Sequence, residues 1–134
     1  MANEITMVSS LAHTKDSSTM TTGQTSKTQT VETLITSQKH HFTVQAVGTS
    51  REALSVGDVT VSKDYFVRLK NMDSTNFVKV EFYDSTNYVY AFNIEPGEPC
   101  GPFRVDGGKT VHLTADTADC AVEVAVSDAG DPTL

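Results

Sequence analysis

The tetrapeptide DSTN occurs twice, at 73–76 and 84–87, each time followed by an aromatic residue and a valine. Two carboxylates so repeated, Asp73 and Asp84, suggest a shared cation site, which would require them to meet in space. Asp and Asn are also favoured in turns, where their side chains bond nearby backbone N–H groups. The strand-like run between the copies would hold the two carboxylates roughly 20 Å apart. One DSTN alone offers a single carboxylate, far short of the six to eight oxygens that calcium takes. The repeat therefore reads as two turns. A second carboxylate pair, Glu95 and Glu98, stands in EPGEPCGPF (95–103). A glycosidase would need two such groups about 5–10 Å apart across a cleft. Three of the four prolines fall here beside Gly97 and Gly101. The stretch reads instead as a stiff, irregular connection on a sheet edge.

The other chemistry-bearing residues are scattered. His40 and His41 are adjacent, so a strand points them to opposite faces. His112 lies between Val111 and Leu113 and is expected to face outward, and His13 stands alone. No HExxH or HxH motif joins them. Cys100 and Cys120 fit no zinc spacing and read as two half-buried thiols, with one disulfide as the alternative. The serines lack a GxSxG elbow, and neither a P-loop nor GxGxxG occurs. No catalytic residue, metal ligand or cofactor is expected.

The elements that would position these residues follow from composition and period. At 134 residues the chain suits one domain. Its 17 acidic residues against 10 basic give a net charge of −7, and nothing concentrates Lys and Arg, so no nucleic-acid partner is expected. The start, MANEITMVSSLAHTKD, lacks a basic region followed by an apolar one, and no run approaches the length of about 18 apolar residues that spans a bilayer. A soluble, cytoplasmically made protein without a membrane partner is expected. In residues 9–30, 12 of 22 are Ser or Thr. Alone, such a segment buries too little to offset its ordering entropy. Residues 1–30 read as an arm that orders on a partner.

From residue 28 the period is two. TQTVETLIT (28–36) is β-branched, and HHFTVQAV (40–47) puts Phe42, Val44 and Ala46 on one face. TSREALSVGD (49–58) is the one credible helical turn, capped by Thr49 or Ser50 and ended by Gly57. The short alternating runs after it, separated by Gly, Pro, Asp, Asn and Ser, predict an antiparallel β-sandwich of jelly-roll type. YFVRLKN, FVKVEFY and YVYAFNI would form a meander through the two DSTN turns. Its inward face would carry Tyr65, Val67, Leu69, Val78, Val80, Phe82, Tyr90, Phe92 and Ile94. Val111, Leu113, Val122, Val124 and Val126 would form the opposing layer, with Arg68, Lys70, Lys79, Glu81 and Glu123 outward. The predicted organisation is an arm (1–30), a sandwich (31–128) and a tail (129–134).

LKNMDSTNFVKV (69–80), FNIEPGEPCGPFRV (92–105), VHLTADTAD (111–119) and CAVEVAV (120–126) together make a pattern. A Lys-Asn strand end runs into an Asp/Thr/Asn turn, then a Pro-Gly-Glu bend, and a Val-rich strand ends it. This resembles the small β-sandwich virion structural proteins of tailed bacteriophages, over about residues 40–127. The Ser/Thr-rich N-terminus lies outside that pattern. The resemblance implies a non-enzymatic, homo-oligomeric capsid decoration protein in the virion, contacting the major capsid protein. Its alternative is a head–tail connector, neck or tail protein contacting the connector or tail. Gly97 would allow the Pro-Gly-Glu bend. Two other classes compete. A carbohydrate- or surface-binding sandwich would use exposed aromatics such as Phe77, Tyr83 and Tyr88, though the chain has no Trp. A hydrolase would need Glu95 and Glu98 in a cleft.

Overall fold

The computed structural model describes residues 4–15, 18–21, 25–30 and 39–129. Four strands precede the sandwich: β1 (Glu4–Ser9), β2 (Ala12–Lys15), β3 (Ser18–Thr21) and β4 (Thr25–Thr30). β1 pairs antiparallel with β4, and β2 with β3, so the arm is two paired ribbon segments. Val8 and Leu11 are exposed on it. The strand predicted over 28–36 lies outside the described residues beyond Thr30, as do residues 130–134 of the predicted tail.

Eight further strands follow: β5 (His40–Val47), β6 (Glu52–Ala53), β7 (Tyr65–Asn71), β8 (Val78–Tyr83), β9 (Tyr88–Ile94), β10 (Pro99–Val105), β11 (Thr110–Ala115) and β12 (Cys120–Asp128). They build two antiparallel sheets, β10-β7-β12-β5 and β6-β11-β8-β9. Counted along the sandwich, one sheet holds the sixth, third, eighth and first strands, and the other the second, seventh, fourth and fifth. That nested order is a jelly roll. Among the eight sandwich strands only the β8–β9 link stays within one sheet. The chain is all-β, with no helix among the described residues.

This order corrects the meander. β7 and β8 lie in different sheets, so the first DSTN carries the chain between layers and only the second closes a hairpin. The layers change accordingly. Tyr65, Val67 and Leu69 share a sheet with Val122, Val124 and Val126, whereas Val78, Val80 and Ile94 share theirs with Val111 and Leu113. All are buried, and Val47, Leu54, Val59 and Val105 close the core. Tyr65 is fully enclosed, and its hydroxyl donates to the Lys109 carbonyl at 2.7 Å. Burial pushes its pKa up to about 12.

Two more predictions are corrected. Residues 49–58 form no helix. Leu54 N bonds the Val111 carbonyl at 2.9 Å, and the Glu52 carboxylate accepts from Gly48 N and Gln45 Nε2. Those sheet contacts override the weak local helical signal. Tyr90 faces outward. The β8–β9 register shifts between Val80 and Glu81, from Val80↔Phe92 to Glu81↔Tyr90. The extra residue, Ala91, reverses the facing phase. Glu81 faces outward as predicted but is only 6% exposed.

On β5 the alternation expected from the sequence holds. Phe42, Val44 and Ala46 do share a face, and it is the outer one, with Phe42 65% and Val44 59% exposed. The opposite side is used by polar groups. His41 Nε2 meets Ser55 Oγ at 3.2 Å, and Gln45 bonds Glu52, the Ala53 carbonyl and Ser55 N.

Candidate functional site

The second sheet presents on its outer face a lattice of three rows fixed by register. Thr110, Tyr83 and Tyr88 form the first; His112, Glu81 and Tyr90 the second; Thr114, Lys79 and Asn93 the third. The shift at Ala91 lets Tyr88, Tyr90 and Asn93 share this face. Tyr83 and Tyr88 stack with centroids 4.4 Å apart at 21°, as a direct cross-strand pair allows. His112 meets both rings edge-on, at 5.7 and 5.0 Å, and its Nε2 lies 3.0 Å from Thr110 Oγ1. Arg51, from the loop before β6, reaches over this surface. Its guanidinium carbon sits 3.7 Å from the Tyr88 ring centroid, while Nε and Nη2 donate to the two Glu81 oxygens, each at 3.0 Å.

The electrostatics follow from that contact. The Arg51 hydrogen bonds hold the Glu81 carboxyl below its ordinary range against the opposing effect of burial, with Lys79 Nζ 3.8 Å away adding to the effect. Glu81 in turn raises Arg51. Burial lowers the His112 pKa, and the nearby Arg51 charge acts the same way. A carboxylate fixed in a bidentate ion pair takes up no proton near neutrality, which makes Glu81 a poor general acid. The surface suits stacking and hydrogen bonding. Tyr88 is 41% and Tyr90 57% exposed. Asn93 Oδ1 and Thr114 Oγ1, on either side of Lys79, are buried without a hydrogen-bond partner.

The residues singled out in the sequence lie elsewhere, except Tyr83, Tyr88 and His112. Asp73 accepts from Thr75 N and Asn76 N at 2.9 and 2.6 Å, and Asp84 from Thr86 N and Asn87 N at 3.0 and 2.8 Å. These bonds, to Asn76 and Asn87 first, lower both carboxyl pKa values. The two turns lie at opposite ends of β8, so the carboxylates do not meet. Among the described residues no three His, Cys, Asp or Glu side chains gather as a metal cage would need. Glu95 and Glu98 are exposed. The Glu98 carboxylate accepts from Glu95 N at 2.7 Å, closing the bend in which Gly97 has φ +78°. Phe77 is half-buried. His13 and His40 are exposed on β2 and β5. Cys100 and Cys120 are free thiols, both with pKa raised by burial. EPGEPCGPF does form an edge, its second half being the irregular strand β10.

Sequence reasoning missed Arg51, which was assigned to a helix, and Tyr90, which was assigned to the core. A charged residue one position before a β-branched-poor run carries no signal of its destination. An open cleft of about 340 Å³ lies where β9 and β10 face each other, with Phe82, Val89 and Val105 apolar and Arg104, Lys109, Asp84 and Asp106 around them. Arg104 is paired with Asp64 at 3.2 Å and Lys109 with Asp106 at 3.8 Å, and Asp84 is held by Thr86 N and Asn87 N of its own turn. Comparison of the chain with family models, with curated proteins and with solved structures finds no match.

Proposed function

We propose that this chain is a structural component of a tailed-phage virion, a capsid decoration protein that stabilises the particle through contacts with the major capsid protein and with sister copies. The observation that carries the reading is the placement of apolar side chains on both lateral edges of the sandwich. Phe42 and Val44 lie outward on β5, and Val89 and Tyr90 are exposed on β9 at the opposite edge. Large exposed apolar groups on a small domain mark contact surfaces, and two opposed ones suit a subunit with neighbours on both sides. The Ser/Thr-rich ribbon supports the same reading. A lone two-stranded ribbon is marginal in water, and a capsid surface would supply the missing layer. A position in the head–tail connector, neck or tail uses the same surfaces. The test is a cryo-electron-microscopy map of particles purified from infected cells. Density for this sandwich at symmetric positions on the shell is expected. Particles that lack the chain altogether overturn the reading.

The Arg51–Tyr88–Tyr90 surface favours a second reading, a carbohydrate- or surface-binding module. Tyr90, 57% exposed, offers a flat apolar face with a polar edge, suited to a pyranose ring, beside Tyr88, whose ring is stacked on Tyr83 and covered by Arg51. A glycan array probes it directly: binding that is lost in both Tyr88→Ala and Tyr90→Ala supports it, and an array without signal removes it.

A further inference from the structure

β5 is an edge strand whose free side has no backbone partner among the described residues. Natural edges are blunted by brevity, Pro, Lys or bulges. The other three edges here carry such devices: β6 has two residues, β9 bulges at Ala91, and β10 contains Pro99, Pro102 and a register shift. β5 has none. Its eight residues, HHFTVQAV, contain no Pro, Gly, Lys, Arg, Asp or Glu. They pair in regular register with β12 and turn an apolar stripe outward.

We infer that β5 pairs antiparallel with β5 of a second copy, joining two four-stranded sheets into one of eight strands across a two-fold axis. The strand is complementary to itself. Residues opposed across an antiparallel pair point to the same face, so a two-fold axis through Val44 sets Val44 against its own copy and Phe42 against Ala46. A large side chain then meets a small one on each side, and the stripe becomes continuous. On the inner side Thr43 would oppose Gln45. The ends match in charge. Beyond His40 stands Lys39, and beyond Val47 stands Gly48, where a Cβ would lie 3.6 Å from Glu52 Oε2 and 3.7 Å from Asp119 Oδ1. Antiparallel pairing lays each basic end along the other copy's acidic end. A contact of this length is at the small end of specific interfaces, so micromolar association is expected, weakened by salt. The inference concerns the isolated chain and does not depend on its place in a virion.

Sedimentation equilibrium of the full chain, up to about 100 µM, tests the association. A dimer is expected, and Val44→Lys should give a monomer at the same concentration with unchanged far-UV circular dichroism. Register is tested by trapping with oxidised glutathione. Val44→Cys should cross-link to itself, Phe42→Cys should cross-link to Ala46→Cys in a mixture, and Ala46→Cys should not cross-link with itself. This arm holds even if the lysine variant fails to fold. A wild-type monomer throughout overturns the inference. So does an oligomer that survives Val44→Lys, or a dimer in which Val44→Cys forms no disulfide with its own copy.

Discussion

Asn71 ends β7, is fully buried, and its side chain makes three hydrogen bonds. Nδ2 donates to the Asn76 carbonyl at 2.9 Å and the Ile94 carbonyl at 3.0 Å, and Oδ1 accepts from Asp73 N at 3.0 Å. Its backbone joins the Pro-Gly-Glu bend as well, donating to the Glu98 carbonyl and accepting from Gly97 N, each at 3.0 Å. One side chain thus ties the crossing turn to the end of β9. In Asn71→Ala each lost bond costs about 1 kcal/mol, and the enclosed Ile94 carbonyl left without its donor adds about 1–2 more. The sum is about 4 kcal/mol, out of roughly 5–13 kcal/mol for a domain of this size. At about 4–8 °C per kcal/mol the melting midpoint should fall by at least about 15 °C. The chain has no Trp, so far-UV circular dichroism in a urea series and a thermal ramp is the assay. Asn71→Asp sharpens the test. Its carboxylate would face two carbonyl oxygens, so its folded pKa must rise above the ordinary value of about 3.9. The protonated acid can donate to one of them, so this variant should be worse than Asn71→Ala at pH 7 and recover as pH falls towards 4. A loss below about 1 kcal/mol for Asn71→Ala, or an Asn71→Asp defect independent of pH, refutes the reasoning.

Other positions give shorter expectations. Gly101 has φ +92°, and a Cβ there would lie 2.7 Å from the Val67 carbonyl oxygen, so Gly101→Ala should cost at least about 2 kcal/mol in urea unfolding. Tyr65→Phe deletes the buried bond to Lys109 and should cost about 1–2 kcal/mol by the same measurement, and it should remove the last tyrosine to ionise in an alkaline absorbance titration. The His112 pKa is depressed in the fold, so the unfolded chain binds its proton first; stability should fall as pH drops below the ordinary 6.5, and His112→Gln should flatten that slope in melts at stepped pH. Glu81 is also depressed, but as an acid: its pairing with Arg51 contributes above its ordinary 4.5 and is lost as pH falls through the lowered folded value. The gap in melting midpoint between wild type and Arg51→Ala should therefore be widest near pH 7 and close in acid.

The positions of β5 and of β7 to β12 and most of the core were legible because period-two alternation reports which residues are apolar together. Tyr65, Val67, Leu69, Val78, Val80, Val111, Leu113 and the three β12 valines all reach the interior. Alternation does not report which way a face points when both faces can be satisfied. On β5 the apolar set faces solvent because His41 and Gln45 find partners inside, an arrangement visible only once β6 and its loop are in place. Nor does it survive a bulge, and Ala91 is what sends Tyr90 to the outer lattice. The candidate surface was therefore only partly foreseeable. Tyr83 and Tyr88 were legible only as candidate surface aromatics alongside Phe77, and the arginine above Tyr88 arrives from a segment whose local signal was helical.

The two DSTN turns show the limit most sharply. Each Asp caps its own turn by accepting from the residues two and three positions on, so the local chemistry is the same in both copies. One closes a hairpin and the other crosses between sheets. One difference lies inside the repeat, where Ser85 takes φ +78°, and another lies just outside it. Between Tyr83 and Tyr88 there are only the four turn residues, and the flanking tyrosines pair directly. Between Asn71 and Val78 there are six, since Met72 and Phe77 lie outside the turn. Met72 N bonds the Ala121 carbonyl at 2.8 Å, holding the entry to the turn on the β12 side, while the Phe77 carbonyl takes Asp116 N at 3.1 Å on the β11 side. Those two extra residues let the chain step from one sheet to the other, and Asn71 fixes the step. Connection length separates the copies where turn composition does not.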